Sequence, residues 1–389
     1  MIRTLSHTLR RLVVDTKASH GCTLVDVTGK SYLDLNANIA SLVLGYNHPD
    51  LRAPARHMTA QRSALNIFPT LEFDRHLTSL WPRVNPYGRD HDAFLFLASS
   101  GSEAVESALK LLLRRRPGTK ALSFNGGFHG RTCGALGLTR SNPSHIDGFP
   151  QVVTVGTDFP LSPDDEPRCL AQFEQVLARQ DIGAVFVEPV QSEGGDRHAS
   201  PEFFRLVRET CTRYDVAFAV DEVQTAMGFG RTWAHQNWGL DTPPDVVIFS
   251  KKMQVAGFFA KPELEPVASA AYGYNSTWGG DVQRAEMLAR ILDVVEKDSL
   301  YSKSVRCGDT LFSALRGFPG VRRVRHEGSF GAFDVDGRDD VVKRLQSAGV
   351  IVATCGTGDS IRLRAPLTLS DSDVAHGLRI FEHVLTNRG

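Results

Sequence analysis

Three apolar segments that the sequence predicts as β-strands each run into ionisable residues. The segments and the residues that follow them are Gly183–Val187 with Glu188, Ala217–Val220 with Asp221 and Glu222, and Val246–Phe249 with Lys251 and Lys252. In open α/β sheets, ligands bind outside the carboxyl ends of the strands. Acids and a lysine at that edge predict a binding site, although charged residues also occur wherever a strand reaches the surface.

A fourth predicted strand, Ala93–Leu97, leads into the segment Ser99-Ser100-Gly101-Ser102 and then into a predicted helix over Glu103–Arg115. Hydroxyls and free backbone N–H groups at a helix N-terminus form an anion site, and phosphate is its usual occupant. The same residues also serve as an ordinary helix entry. The segment does not match the phosphate-binding loop of nucleotide hydrolases, and the chain has no dinucleotide fingerprint between a strand and a helix.

An anion site, an aspartate and a lysine together point to pyridoxal 5′-phosphate (PLP) as cofactor. A lysine amine forms a Schiff base with the PLP aldehyde. An aspartate keeps the pyridine nitrogen protonated, so that the ring accepts electrons from a carbanion. The helix N-terminus would bind the phosphate.

Short apolar segments alternate with helical patterns from about His91 onward, and this alternation predicts an α/β fold with a mostly parallel sheet. The other predicted strands of this part are Ala121–Phe124 and Val152–Val155. Predicted helices include Cys169–Ala178, Pro201–Tyr214, Asp281–Val294, Asp339–Ser347 and Asp371–Thr386.

The remaining strand patterns predict a smaller α+β domain at the two ends of the chain. They comprise a hairpin of Cys22–Val27 and Ser31–Leu35, followed near the C-terminus by Phe330–Val335, Val350–Ala353 and Ile361–Leu363. The predicted organisation is therefore an N-terminal segment over residues 1–48, a large cofactor-binding domain over 49–284 and a small domain over 285–389.

Composition excludes several classes of protein. The 389 residues carry 44 Lys and Arg against 44 Asp and Glu, so the formal net charge is zero. This balance argues against a protein that coats nucleic acid or an anionic membrane. The apolar segments are too short to span a bilayer, and residues 1–16 lack the apolar stretch of a secretory signal. Six scattered cysteines without CxxC spacing predict reduced thiols in the cytoplasm and no metal site.

Five stretches resemble the class III, or ω-amino, aminotransferases of PLP fold type I. They are SSGSEAVESALK (99–110), FNGGFHGRT (124–132), VEPVQSEGGD (187–196), VDEVQT (220–225) and DVVIFSKK (245–252). Within the family, FSKKMQVAGFF (249–259), FRLVRETC (204–211), WAHQNWGL (233–240) and NSTWGG (275–280) are most similar to 4-aminobutyrate and L-lysine 6-aminotransferases. The resemblance implies a large PLP-binding domain and a smaller α+β domain.

The resemblance also implies a set of cofactor contacts. Lys252 would be the Schiff-base lysine, with Lys251 as its competitor, and Asp221 would pair with the pyridine nitrogen. The other implied contacts are Gly101 and Ser102 at the phosphate, Phe128 on the ring, Gln224 near the ring hydroxyl and Glu188 as an acid behind them. Thr277 would reach the phosphate of the partner subunit's cofactor, which implies a homodimer with shared active sites.

Four further positions would contact substrate in such an enzyme. Arg131 would grip the far carboxylate of an ω-amino acid, and Ile39 would line the substrate entrance. Glu193 would cover Arg362 while the amine donor binds, then move aside so that Arg362 takes the α-carboxylate of 2-oxoglutarate. Each also has a plainer interpretation: Ile39 as core, Arg131 and Glu193 as solvated surface, and Arg362 as a strand-edge charge, with Arg364 as a nearby alternative.

The predicted function is transfer of an ω-amino group, from a 4-aminobutyrate-like acid or L-lysine, to 2-oxoglutarate. Other PLP chemistry on the same fold, namely an aminomutase, a racemase or a decarboxylase-type enzyme, stays open, and so does a non-catalytic relative. One departure from the family pattern is Ala226, where glycine is usual. It puts the geometry of the following loop in question.

Overall fold

The computed structural model describes residues 12–51, 71–142, 144, 154–269 and 276–386. Its strands, in chain order, are β1 (Thr23–Val25), β2 (Ser31–Asp34), β3 (Phe94–Ala98), β4 (Lys120–Phe124), β5 (Thr154–Thr157), β6 (Ile182–Val187), β7 (Val190–Gln191), β8 (Arg197–His198), β9 (Ala217–Asp221), β10 (Val246–Phe249), β11 (Ala256–Ala260), β12 (Val321–Glu327), β13 (Phe330–Val335), β14 (Val350–Ile351), β15 (Ala353–Thr354) and β16 (Ser360–Arg364). The α-helices are α1 (Leu71–Ser79), α2 (Gly101–Arg115), α3 (Cys133–Leu138), α4 (Glu166–Leu177), α5 (Pro201–Arg213), α6 (Glu265–Ser269), α7 (Val282–Lys297), α8 (Leu300–Leu315), α9 (Arg338–Ser347) and α10 (Asp371–Thr386).

The chain divides into two compact units. The large unit comprises Met58–Leu292 together with the short segment Cys355–Ser360. The second unit comprises Met1–His57, Asp293–Thr354 and Ile361–Gly389. None of the helices in the described ranges combines the length and apolar character needed to cross a membrane, and all six cysteines are free thiols.

A seven-stranded sheet forms the centre of the large unit, in the order β3-β11-β10-β9-β6-β4-β5. Strands β10, β9, β6, β4 and β5 run parallel, whereas β11 is antiparallel to both of its neighbours. Because β11 is antiparallel to both β10 and β3, those two strands run in the same direction. The carboxyl ends of β3, β4, β6, β9 and β10 therefore lie at one edge of the sheet.

Apolar side chains cover both faces of this sheet, as expected for parallel strands. On one face, α2 buries Ala104, Ala108, Leu111 and Leu112 against the strands. On the other face, α4 and α5 contribute an aromatic cluster. Ser200 caps α5, since its hydroxyl accepts the backbone N–H of Phe203 at 3.0 Å.

The second unit contains a three-stranded sheet, β1-β2-β14, and a four-stranded sheet, β12-β13-β16-β15. Its core is a single cluster that joins the N-terminal hairpin to residues of β13, β16, α8 and α10. The predicted hairpin is present, because β1 pairs antiparallel with β2. Residues from both ends of the chain thus build one core.

Several strand predictions need correction. The predicted strand Val152–Val155 lies partly outside the described residues, and the observed strand is Thr154–Thr157. The single strand predicted over Val350–Ala353 is wrong, because β14 pairs with β2 while β15 pairs with β16. The short apolar sequence does not reveal that the chain changes sheets at Val352.

Eight of the strands and helices in the described residues were not predicted. They are β7, β8, β11, β12, α1, α3, α6 and α8. The sequence of β12, VRRVRHE, is polar because it forms the edge of its sheet, where charged side chains face solvent. Strand β11 directly follows the lysine segment, without the helical crossover that separates parallel strands, and its sequence AGFFA is buried throughout.

Candidate active site

Asp221 and Lys252 stand at the ends of two neighbouring parallel strands. Asp221 closes β9 and pairs in register with Ile248 of β10, and Lys252 follows β10 by three residues. Both side chains are deeply buried, with 4% of Asp221 and 1% of Lys252 exposed. Lys251 is half-buried and holds a left-handed φ of 49°. The two lysines therefore occupy different environments.

The N-terminus of α2 lies against both strand ends. A Cβ atom placed on Gly101 would lie 2.9 Å from Cγ1 of Val223 and 3.4 Å from Cβ of Ser250. Ser100 caps the helix, because its hydroxyl accepts the backbone N–H of Glu103 at 3.2 Å. A side chain at position 101 would fill this junction, so glycine brings the helix N-terminus close to the strand ends.

The loop after β4 approaches the same helix. The Arg131 N–H donates to the Ser102 hydroxyl at 3.2 Å, and the half-buried Phe128 donates its N–H to Oε1 of Glu188 at 2.8 Å. The Arg131 side chain is exposed, and its guanidinium lies 4.8 Å from the centre of the Phe128 ring. The loop thus places an aromatic ring and a cation side by side.

His129 was not among the sequence-predicted site residues. Its Nδ1 lies 2.8 Å from Oδ2 of Asp221, and both side chains are buried. The second oxygen of Asp221 accepts the backbone N–H of Val223 at 3.0 Å. The only indication in the sequence is that His129 directly follows the predicted site residue Phe128. No sequence spacing predicts that the loop after β4 meets the end of β9.

Glu188 is a buried acid behind this arrangement. Burial is the main reason that its pKa is raised well above the usual range, and the negative charge of Asp221 raises the pKa further. The N–H bond from Phe128 opposes these effects without reversing them. Glu188 is therefore a carboxyl that the protein keeps in its protonated form more readily than free glutamate.

Glu222 was a candidate because it follows Asp221, but its contacts are structural. It is fully buried, accepts the Thr225 hydroxyl, and lies 2.9 Å from Nδ1 of His235. The backbone N–H of His235 donates to the same oxygen at 2.8 Å. These bonds close the loop that carries Gln224, which is 7% exposed.

Ala226 fits this loop without strain. Its side chain is buried, its N–H donates to the carbonyl of Glu222 at 2.9 Å, and the positive φ in this stretch belongs to Met227 instead. The alanine therefore occupies a conformation that any residue adopts.

Two other candidates lie in this large unit. Glu193 is half-buried at the tip of the β7–β8 hairpin. Thr277 is exposed and follows Ser276, whose hydroxyl shares a hydrogen bond of 3.2 Å with that of Ser99. Thr277 is thus anchored beside the start of α2.

Ile39 and Arg362 belong to the second unit. Ile39 is 41% exposed in a left-handed turn with φ of 59°, so the interpretation as a core residue is wrong. Arg362 lies on β16 with 4% exposure and is no solvated edge charge.

Arg364, two residues along β16, has a different role. Its guanidinium lies 3.5 Å from the centre of the Phe330 ring and donates to the carbonyl of Gly331 at 3.1 Å. The side chain is completely buried and stabilises the contact between β16 and β13 of the same sheet.

The residues at the carboxyl edge of the large sheet fit PLP. They offer a buried amine at Lys252, a buried carboxylate at Asp221 and a helix N-terminus at Gly101. A Cβ atom at position 101 would keep this helix N-terminus from lying so close to the strand ends. Amine, carboxylate and anion site are the three groups that a pyridine aldehyde phosphate requires.

Comparisons with known proteins agree with this chemistry. A family model described as aminotransferase class III matches residues 4–385. Mouse mitochondrial 4-aminobutyrate aminotransferase is 34% identical, and the match covers 95% of this chain and 84% of that protein. The 4-aminobutyrate aminotransferase of Emericella nidulans is 35% identical over 92% of this chain and 81% of its own length.

A solved structure is similarly close. Lysine aminotransferase from M. tuberculosis, determined in its internal aldimine form, superposes with a TM-score of 0.89 at 31% identity. That match covers 98% of each chain.

Proposed function

This chain belongs to the class III aminotransferase family, and from that premise we propose which residues of this PLP-dependent enzyme perform the transfer and on what substrates. The observation that carries the proposal is the convergence at one sheet edge. Asp221 ends β9, Lys252 follows the adjacent parallel strand β10 by three residues, and Gly101 at the start of α2 packs against residues two positions from each.

We assign each of the predicted site residues to one part of the cofactor. Lys252 would hold it through the side-chain amine, Asp221 would hold the proton of its ring nitrogen, and Gly101 and Ser102 would bind its phosphate. Phe128 would contact the ring, Gln224 would bind near its hydroxyl, and Glu188 would support Phe128 by accepting its backbone N–H. When bound, PLP supplies an electron-accepting ring that stabilises negative charge at the donor carbon.

Lys252 also moves a proton. Its buried Nζ would act as the general base that takes the proton from the donor carbon. Lys251 is half-buried and does not take this part.

The substrates we propose are an ω-amino acid, 4-aminobutyrate-like or L-lysine, and 2-oxoglutarate as acceptor. Arg131 binds the far carboxylate of the donor by its exposed guanidinium. Glu193 and Arg362 act as the family resemblance implies, with Glu193 covering the arginine for the donor and releasing it for the acceptor, and Ile39 lines the entrance. The products are an aldehyde and glutamate.

We propose further that the enzyme is a cytoplasmic homodimer with shared active sites. Thr277 is exposed beside the start of α2, and the neighbouring Trp278 is 75% exposed, which suits a surface that a second copy covers. In that arrangement Thr277 contacts the phosphate of the partner subunit's cofactor. Six free thiols suit a reducing compartment.

Two measurements test the proposal. Lys252→Ala should abolish the visible absorbance of bound PLP and all transamination, while Lys251→Ala should keep both. Glutamate release from 2-oxoglutarate, read across a panel of 4-aminobutyrate, L-lysine and longer ω-amino acids, should identify the donor. The proposal fails if Lys252→Ala retains the absorbance band, or if no ω-amine yields glutamate.

A further inference from the structure

The hairpin that carries Glu193 is held by contacts of its main chain. Strands β7 and β8 pair through Val190 with His198 and Gln191 with Arg197, which leaves residues 192–196 as the tip. A tip of five residues on two-residue strands has little stability of its own. The contacts of the tip therefore decide where Glu193 sits.

One side of the tip lies against the loop after β4. A Cβ atom on Gly194 would lie 2.1 Å from the carbonyl oxygen of Gly126, which no real side chain tolerates. The two backbones thus touch directly at this point. Gly194 cannot move toward Gly126, and any side chain there would push the hairpin away.

The other side of the tip lies against the short segment Cys355–Ser360. The backbone N–H of Gly356 donates to the carbonyl oxygen of Glu193 itself at 2.8 Å. A Cβ atom on Gly356 would lie 2.9 Å from Cα of Gly195 and 3.1 Å from its nitrogen. The segment is closed on itself, because the N–H of Cys355 donates to the carbonyl of Ser360 at 3.2 Å.

The main chain of Glu193 is therefore fixed between two backbone surfaces, and both contacts lie within the large unit. A carboxylate that must cover a partner for one substrate and withdraw for the next can still move, but only by rotation about its side-chain bonds. Such a rotation needs a pivot that stays in place, since small displacements of a positioned group cost much of its effect.

We propose that Gly356 is a positioning residue for Glu193: its N–H and its missing side chain hold the pivot about which the Glu193 carboxylate alternates between the amine donor and the oxo-acid acceptor. This inference rests on the proposed function. It extends that function to a residue that lies far from Glu193 in the sequence.

The test compares Gly356→Ala with two matched controls in the holoenzyme. Gly358→Ala lies in the same segment, at a position where a Cβ meets nothing within 4 Å. Gly337→Ala has nearly the same backbone conformation, with φ of 67° against 64° for Gly356, and also meets nothing within 4 Å. Gly337→Ala therefore carries the conformational cost of a left-handed alanine without the steric contact.

The readout is the ratio of kcat/KM for the amine donor to kcat/KM for 2-oxoglutarate. Glu193→Gln should lower this ratio by roughly 10-fold, because the arginine is no longer covered by a charge. Gly356→Ala should lower it by roughly 5-fold, and both controls should change it by less than about 2-fold. In the Glu193→Gln background, Gly356→Ala should change the ratio no further.

The outcomes separate the two ideas. If Glu193→Gln leaves the ratio unchanged, the proposed role of Glu193 is wrong and the role of Gly356 falls with it. If Glu193→Gln lowers the ratio but Gly356→Ala does not, or if Gly356→Ala acts equally in both backgrounds, only the positioning role is overturned.

A second measurement applies if Gly356→Ala does not fold. The Gly356 amide of the wild-type holoenzyme should exchange with solvent roughly 100-fold more slowly than an unstructured amide. Exchange at the unstructured rate would overturn the contact on which the proposal stands.

Discussion

Asp221 is held at both of its carboxylate oxygens, by Nδ1 of His129 at 2.8 Å and by the backbone N–H of Val223 at 3.0 Å. The histidine comes from the loop after β4 and the amide from the loop after β9. A carboxylate with two fixed partners in a buried site keeps one orientation, as the proposed role of Asp221 at the ring nitrogen of PLP requires.

Removing the histidine should therefore impair catalysis through Asp221. We expect His129→Phe to lower kcat by about 10- to 100-fold, the value of a hydrogen bond to a charged group. KM for both substrates should change much less. Steady-state kinetics together with the cofactor's visible spectrum test this, and an unchanged kcat with normal cofactor content would show that Asp221 needs no such support.

Glu188 should make stability depend on pH. Its pKa is raised in the folded protein, so its contribution to stability is fully present below the ordinary glutamate value and is lost as the pH rises through the raised value. Glu188→Gln imitates the protonated form and keeps an acceptor for the Phe128 N–H. We expect the variant and wild type to melt together near pH 4, and the variant to melt at least about 2 °C higher near pH 8.

Thermal unfolding of both proteins across this pH range measures the difference. An equal melting temperature at every pH would mean that the pKa of Glu188 is not raised in the folded state.

Substitution of the two arginines of β16 should have different effects, one on the stability of the fold and the other on acceptor binding. Arg364 is fully buried against Phe330 and bonds Gly331, so Arg364→Ala should lower the free energy of unfolding by about 3 kcal/mol. Arg362→Ala should raise KM for 2-oxoglutarate by roughly 100-fold through loss of a bidentate carboxylate contact. Urea unfolding and acceptor kinetics on both variants test this, and the opposite pattern would exchange the two assignments.

The buried pair of Glu222 and His235 should fix the loop that carries Gln224. His235→Ala removes the 2.9 Å contact while the backbone N–H at that position remains. We expect a loss of about 2 kcal/mol in unfolding free energy and weaker retention of PLP on dialysis. Trp233→Phe, in the same stretch, is a control that loses the indole N–H bond to the carbonyl of Val84 but leaves the pair intact. Equal PLP retention in both variants would limit the pair to a structural role.

Much of the fold follows from local sequence pattern. The apolar strands β4, β6, β9 and β10 and the helices α2, α5 and α10 were predicted close to their observed bounds, because buried parallel strands and amphipathic helices are continuous patterns in sequence. Strand β12 was missed because an edge strand needs no apolar pattern, and β14 and β15 were merged because sheet membership depends on distant partners.

The residue types at the strand ends were enough to predict PLP, since an amine, a carboxylate and a helix N-terminus define that chemistry wherever the backbone brings them to one edge. Only the tertiary structure decided which neighbours act on them. His129 meets Asp221, Gly356 meets Glu193, and Arg364 packs inward on Phe330, through contacts between segments far apart in the chain. Such contacts arise from chain crossings and close backbone approaches, and neither leaves a periodic signal in the sequence.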